Sequence, residues 1–386
     1  MWDRNLGGRS IAESPGNIFS KSTQVTITKD YKKSFDIVCH QVVAEKTFTE
    51  TTFIKELKAP SALLTAFYKK PTTIDAAVIL PKEYNTDPSR RFPVMFWVSG
   101  YGGDYHRFSG DTTFTSPSID TIPCISVFLD GNCPLGHSVY ANSDNNGPRG
   151  DALVKEFIPL LESKYRCNGA RLLRGHSSGG WTVLWLQTQY PKTFAGCWSS
   201  SPDPVDFRSF QTVNLYNNEN MFYGKDSVLR SVATVAGIIP WASQKLAYRE
   251  ERVIYRGEQM HSFDAVFSAK DADGNPESIC DATTGAIYPK TFEHWKRYDI
   301  SLNLRTNWQT LQPDLEGKIR ITVGNQDNFL LNDAVHLLDT AMQQLNTKFV
   351  FAYYPGDHFT VSTPEYRKAG LAFLEERYIV WQKQHQ

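Results

Sequence analysis

The sequence predicts an α/β protein with a mostly parallel central sheet flanked by helices. Three observations carry that expectation. Apolar runs without alternation, Pro93–Val98 and Ile122–Leu129 above all, suit strands covered on both faces. Stretches with helical spacing separate the later runs, as parallel strands require. And at Gly175-His176-Ser177-Ser178-Gly179-Gly180 an apolar run, a glycine-rich turn and an apolar helical stretch follow one another directly. That last unit has the form of a nucleophile elbow, a sharp strand-to-helix turn that exposes one serine.

The bulk properties narrow the field. The 386 residues suffice for one large domain, or for one domain carrying a substantial insertion. Lys+Arg and Asp+Glu both number 41, so there is no basic excess to attract nucleic acid or an anionic membrane. No run of 18 apolar residues predicts a membrane span. The opening residues, MWDRNLGGRSIAESPGNIFS, lack the apolar core of an intact signal peptide, which leaves an intracellular protein or a mature exported form. Six dispersed cysteines show no metal-ligand spacing, so no zinc site is expected; they are either buried thiols or disulfides, with Cys124–Cys133 the shortest candidate loop.

Taken in order, residues 1–20 read as a polar arm, and alternation suggests strands at Gln24–Ile27 and Phe35–Val43. Residues 1–60 are therefore expected to form an arm with extra strands ahead of a catalytic domain over 61–386. Ala59–Tyr68 reads as a short helix or an irregular connection. Thr73–Leu80 is a strand stopped by Pro81, and Pro93–Val98 and Ile122–Leu129 are central strands. Leu153, Phe157, Leu160 and Leu161 give Ala152–Tyr165 a helical apolar face. The elbow strand and helix follow, then strands at Phe194–Ser199, Ile319–Val323 and Phe349–Tyr353. Helices are expected over about 332–345 and 364–384. The interval from 207 to 318 is far too long for one crossover and is rich in aromatics. It reads as a cap-like insertion over the active-site edge of the sheet, or as a set of ordinary surface helices.

The chemistry follows from the elbow. A serine hydroxyl is a weak nucleophile until a base takes its proton, and in elbow enzymes an acid and then a histidine follow it in the chain. His358, in Tyr354-Pro355-Gly356-Asp357-His358-Phe359, sits just beyond the last predicted strand, where such a base is needed. Asp327, just beyond the preceding strand, is the leading candidate to orient it; Asp203, Asp206 and Asp333 are rivals. His176 flanks the serine and projects the wrong way to be its base. The oxyanion of a tetrahedral intermediate needs two backbone donors. Ser178 N–H is one candidate, and Tyr101 N–H in Ser99-Gly100-Tyr101-Gly102-Gly103 is the other. Gly102, His176, Trp181 and Asp203 are candidate substrate contacts. The run Asp271–Asn275 has the look of a calcium loop but lacks its distal glutamate, so an Asp/Gly turn is the better reading.

These residues resemble the bacterial putative-esterase family of α/β-hydrolases, related to enterochelin esterases, esterase D and mycolyltransferases. The likeness runs over roughly 60–380, through Phe92-Pro93-Val94, Ser99–Gly103, Asn146-Gly147-Pro148, Gly175–Trp181, Pro202–Arg208, Gly324–Asp327 and Gly356–His358. It implies the α/β-hydrolase fold with an eight-stranded sheet, and carboxylic-ester hydrolysis by Ser177, Asp327 and His358 without metal or organic cofactor. Two features depart from the family. The oxyanion loop begins Ser99-Gly100 where His-Gly is usual, and the insertion after Arg208 is longer than in compact members. Frequent export of members favours a secreted or periplasmic location. The implied substrate is a small-molecule or polysaccharide ester: short-chain acyl, acetyl, feruloyl or siderophore. Acyl transfer or peptide cleavage on the same three residues is an alternative, and a non-catalytic carbohydrate- or siderophore-binding scaffold is another. No oligomeric state is encoded legibly.

Overall fold

A computed structural model describes residues 15–32, 34–254 and 258–385. Its centre is an eight-stranded sheet. Numbered along the chain, the strands are β1 (Ile54–Pro60), β2 (Thr73–Ile79), β3 (Phe92–Val98), β4 (Ile125–Leu129), β5 (Cys167–His176), β6 (Gly196–Ser200), β7 (Ile319–Gly324) and β8 (Val350–Tyr354). Their spatial order is β1-β2-β4-β3-β5-β6-β7-β8. Only β2 runs against its neighbours; every pair from β4 to β8 is parallel. The expected mixed α/β class, with a mostly parallel sheet and flanking helices, is the one found.

The helices of seven residues or more are α1 (Ala62–Tyr68), α2 (Ile158–Lys164), α3 (Ser178–Gln189), α4 (Gln244–Ile254), α5 (Gln259–Phe267), α6 (Pro289–Trp295), α7 (Ile300–Leu315), α8 (Leu331–Gln344) and α9 (Pro364–His385). The central strands are apolar throughout because both faces are covered: Val94, Phe96 and Val98 belong to the main core, and Met95 and Leu172 to a second one under α9. The topology puts the loops after β3, β5, β6, β7 and β8 at one edge of the sheet, where an open α/β sheet carries its site.

The N-terminal segment departs from expectation. No strands form at Gln24–Ile27 or across Phe35–Val43; Gln41–Val42 alone pairs, with Ile18–Phe19. Alternation was present, but no sheet edge meets it, and Ile27, Phe35 and Val38 stay exposed. The strand that does close this side of the sheet, β1, has Lys55, Glu56 and Lys58 interleaved with buried Ile54, Leu57 and Ala59. Residues 1–14 of the expected arm lie outside the described residues.

Residues 207–318 form short 3-10 turns, a β-hairpin (Ser231–Val235 with Ile239–Ser243) and helices α4 to α7. Their aromatics make one cluster with the elbow helix. Phe267 packs on Trp295 at 5.1 Å and on Trp181 at 5.4 Å, while Tyr298 packs on Trp185 at 5.5 Å. Cys124 and Cys133 are buried free thiols rather than a disulfide. Among the described residues, no helix is long and apolar enough to cross a membrane.

Candidate active site

Ser177 sits between β5 and α3 with φ 60° and ψ −128°, a left-handed conformation that an L-residue adopts only under constraint. The constraint is backbone packing. A Cβ on Gly175 would lie 2.0 Å from Gly179 O, one on Gly179 2.1 Å from Val98 O, and one on Gly180 2.5 Å from Ser200 O. No side chain fits at any of the three, which explains why two glycines follow the serine pair. Ser177 N–H donates to Ser200 O at 3.0 Å, tying the turn to β6. Arg174, just upstream, lies between the rings of Trp97 and Trp198 at 5.0 and 5.4 Å.

The two downstream candidates come together beside this turn. Asp327, fully buried after β7, places Oδ2 2.7 Å from His358 Nδ1, and its Oδ1 accepts the Phe329 N–H at 2.9 Å. A carboxylate at that distance assigns the proton to Nδ1 and leaves Nε2 as the basic nitrogen. His358 is itself buried, with Phe329 and Phe359 set edge-on to its ring at 4.9 and 5.3 Å. Its ring is 4.6 Å from that of His176, the residue before the serine.

The loop after β3 abuts the serine. A Cβ on Gly100 would be 3.0 Å from Ser177 Cβ and 3.5 Å from its Oγ, so the loop backbone closes against the serine side chain. Gly102 has φ 83°, which a glycine tolerates, and Gly103 N–H closes the turn onto Gly100 O at 3.1 Å. The Tyr101 hydroxyl donates to Glu258 at 3.2 Å, just before α5. Ser178 opens α3, and its hydroxyl accepts from Gln259 of α5 at 3.4 Å.

The remaining candidates divide. Asp203 lies after β6 with its N–H 3.3 Å from Ser177 O; burial pushes its carboxyl up to about 6, against the Ser178 hydroxyl bond and the charge of His358. His176 Nδ1 lies 2.8 Å from Ser200 Oγ, in hydrogen-bond contact, and burial followed by the charge of His358 brings the imidazole down to about 4. Trp181 is buried and stacked 5.1 Å from Trp185, inside the core rather than on the cleft surface. Asp206 pairs with Arg208 at 2.6 Å and caps the turn at Phe207, and Asp333 lies in the first turn of α8 beside Asn332. Neither touches His358. Asp271 spends its carboxylate on the N–H groups of Asp273 and Asn275, as an Asp/Gly turn does. A cavity of about 240 Å³ lies in the insertion, lined by Tyr248, Arg252, His261, Asp264 and Ser278 among others, and shares no residue with the serine site.

Three contacts escaped the sequence: Gln259 on Ser178, Glu258 on Tyr101, and Asn328, which accepts the His358 N–H at 3.1 Å. The first two join positions 81 and 157 residues apart, and no local pattern announces them. Asn328 stood beside Asp327 in a loop already singled out, but its partner is 30 residues downstream.

Comparison with known proteins agrees on the class. Residues 70–369 match the model of a family described as putative esterase, and the chain belongs to that family. It is a carboxylesterase built on a mixed α/β sheet. Similar solved structures include a ferulic acid esterase (13% identity, 84% of this chain and 96% of that one, TM-score 0.48). A fluorophosphonate-binding serine hydrolase of Staphylococcus aureus matches at 16% identity, over 85% and 97% of the two chains, with TM-score 0.45. An S-formylglutathione hydrolase of Agrobacterium tumefaciens matches at 14%, over 85% and 96%, with TM-score 0.47. No curated protein matches the sequence.

Proposed function

We propose that the protein hydrolyses carboxylic esters through an acyl-enzyme on Ser177. His358 Nε2 takes the Ser177 proton as Oγ attacks the ester carbonyl. Asp327 holds the imidazole by Nδ1 and stabilises the imidazolium that forms. The N–H groups of Ser178 and Tyr101 donate to the oxyanion. The protonated His358 then gives its proton to the leaving alkoxide. In the second half, His358 activates water, which releases the acid and restores Ser177. The observation that supports this reading best is the 2.7 Å Asp327–His358 pair beside a serine held at φ 60°.

Residues 207–318 serve in this proposal as a cap on one flank of the cleft, through Glu258 and Gln259 on the oxyanion side. The substrate is a small-molecule or polysaccharide ester, with the acyl and alcohol groups selected by that cap. The test is Ser177→Ala, assayed on p-nitrophenyl acetate and with a fluorophosphonate probe. Turnover should fall by at least about 10⁴-fold and labelling should vanish, with the fold intact. Hydrolysis retained by this variant would sink the assignment. A screen of acyl chain lengths and hydroxycinnamoyl esters would then identify the substrate class.

A further inference from the structure

The hairpin of the insertion is tied to the loops that carry Asp327 and His358, and the tie runs through one residue, Asn328. Thr234, on its first strand, donates its N–H to Asn328 O at 2.7 Å and its hydroxyl to the same oxygen at 3.0 Å. In return Asn328 Nδ2 donates to Thr234 O at 2.9 Å. The other end of that amide, Oδ1, accepts the backbone N–H of His358 at 3.1 Å. One planar group therefore spans from the hairpin to the histidine, with Thr234, Asn328 and His358 all buried. The hairpin turn also lies close on the same loop: a Cβ on Gly237 would be 3.3 Å from Gln326 Cα. Beyond this anchored edge the hairpin presents Ile238, Ile239 and Trp241 to solvent.

The amide's two ends do different work. The Oδ1 acceptor fixes the His358 peptide, and with it the point from which the imidazole reaches out. The Nδ2 donor fixes the amide plane from the opposite end: the His358 N–H can meet only an acceptor and so selects Oδ1, while the Thr234 carbonyl can meet only a donor and so selects Nδ2. The hairpin carbonyl and the His358 N–H thus hold the amide in one orientation from its two ends. Asp327, the neighbouring residue, independently holds the far side of the ring. Two adjacent residues, 327 and 328, grip the histidine by side chain and by backbone, and only the backbone grip depends on the insertion.

We propose that Asn328 is a positioning residue for His358, and that the Ser231–Ser243 hairpin sets it, so that the insertion adjusts the general base as well as flanking the cleft. The proposal rests on the reading of His358 as that base. Misplacing a reacting group by an ångström costs about 10²-fold, so a partial loss of this grip should cost about 10- to 100-fold in turnover.

The test compares Asn328→Ala with replacement of residues 231–243 by a short Gly/Ser linker, whose ends are already joined by the Gln244 N–H to Arg230 O bond at 2.9 Å, each in the full chain. Steady-state hydrolysis of p-nitrophenyl acetate, thermal melting and the low-field proton resonance of the His358 Nδ1–H···Asp327 bond are read for each. Asn328→Ala should lower kcat about 10- to 100-fold with KM within about twofold, and should shift or broaden that resonance in protein that still melts cooperatively. The linker variant, which removes the Thr234 carbonyl that holds Asn328 Nδ2, should move both readouts the same way. Wild-type kcat and resonance in Asn328→Ala would overturn the proposal. So would a loss of activity that merely follows the folded fraction, with the resonance unchanged. A linker variant that melts cooperatively and keeps wild-type kcat and resonance would overturn the hairpin's part. The resonance reports the imidazole whether or not Ser177 is the nucleophile, so a failed Ser177→Ala test remains distinguishable from a failure here.

Discussion

Around Ser177 the packing is done by backbone, whereas in the insertion beside it the packing is done by rings. In the first region three glycines let β3, β5, β6 and α3 approach until carbonyl oxygens occupy the space a Cβ would need. In the second, Phe207, Phe210, Phe267 and Trp295 meet at centroid distances of 5.1 to 6.0 Å, edge-on or tilted. A backbone contact tolerates no added atom, so the elbow has one solution and its sequence is legible. A ring cluster accepts many sequences of similar volume, so its geometry cannot be read in advance. The contrast also separates roles in the proposed mechanism: the rigid region would hold the nucleophile, and the adaptable one would flank the cleft.

That contrast can be broken experimentally, and the largest effect should come from the elbow. Gly179→Ala puts a methyl 2.1 Å from Val98 O, a contact that only backbone movement can relieve. It should cost more than about 4 kcal/mol or abolish folding, as judged by urea unfolding and soluble yield. A folded, active Gly179→Ala enzyme would show that the elbow is less constrained than its backbone contacts require. Trp295→Ala, in the ring cluster, empties a fully buried site and orphans the Ser268 hydroxyl that accepts from its indole at 2.7 Å. A loss of about 3–5 kcal/mol is expected in the same unfolding experiment, the lower end applying if the rings around it collapse into the space.

The smallest of these effects lies where the two regions meet. Asp203 is raised by burial to about 6 from an ordinary 3.8, so the folded state holds a proton between those pH values that the unfolded chain has released. Its contribution to stability therefore falls as pH rises through that window, and above about 6 the fold carries an ionised carboxylate it would sooner not bury. Asp203→Asn removes the penalty while keeping an acceptor for the Ser178 hydroxyl. Relative to wild type it should gain up to about 3 kcal/mol at pH 8 over its difference at pH 3. Equal differences at the two pH values would show that Asp203 is solvated in the folded protein.

Much of the sheet was legible because buried parallel strands are nearly continuous apolar runs. Phe92–Val98, Gly196–Ser200 and Ile319–Gly324 fall within two residues of their expected bounds. The antiparallel edge was not. In Ile54–Pro60 the lysines and glutamate of an exposed edge mask the apolar face, and the more regular alternation of Gln24–Ile27 drew attention to a stretch with no partner. Among the candidate site residues, Ser177, Asp327 and His358 were marked by their positions just beyond strands, which the chain order alone supplies. Trp181 shows the converse: it was a candidate substrate contact in the sequence, and the structure buries its ring in the core, stacked on Trp185.

What the sequence determined by itself is the class of the sheet and the order of the candidate residues Ser177, Asp327 and His358 along it. Both follow from short-range patterns, apolar runs and a glycine-flanked serine, that physical chemistry allows few ways to satisfy. What only the tertiary structure decided is how residues 207–318 meet the site: Gln259 against Ser178, Glu258 against Tyr101, and Thr234 through Asn328 to His358. Those contacts join polar groups far apart in the chain. A hydrogen bond between such groups leaves no periodic trace in the sequence, since each end looks locally like any other polar residue in a loop.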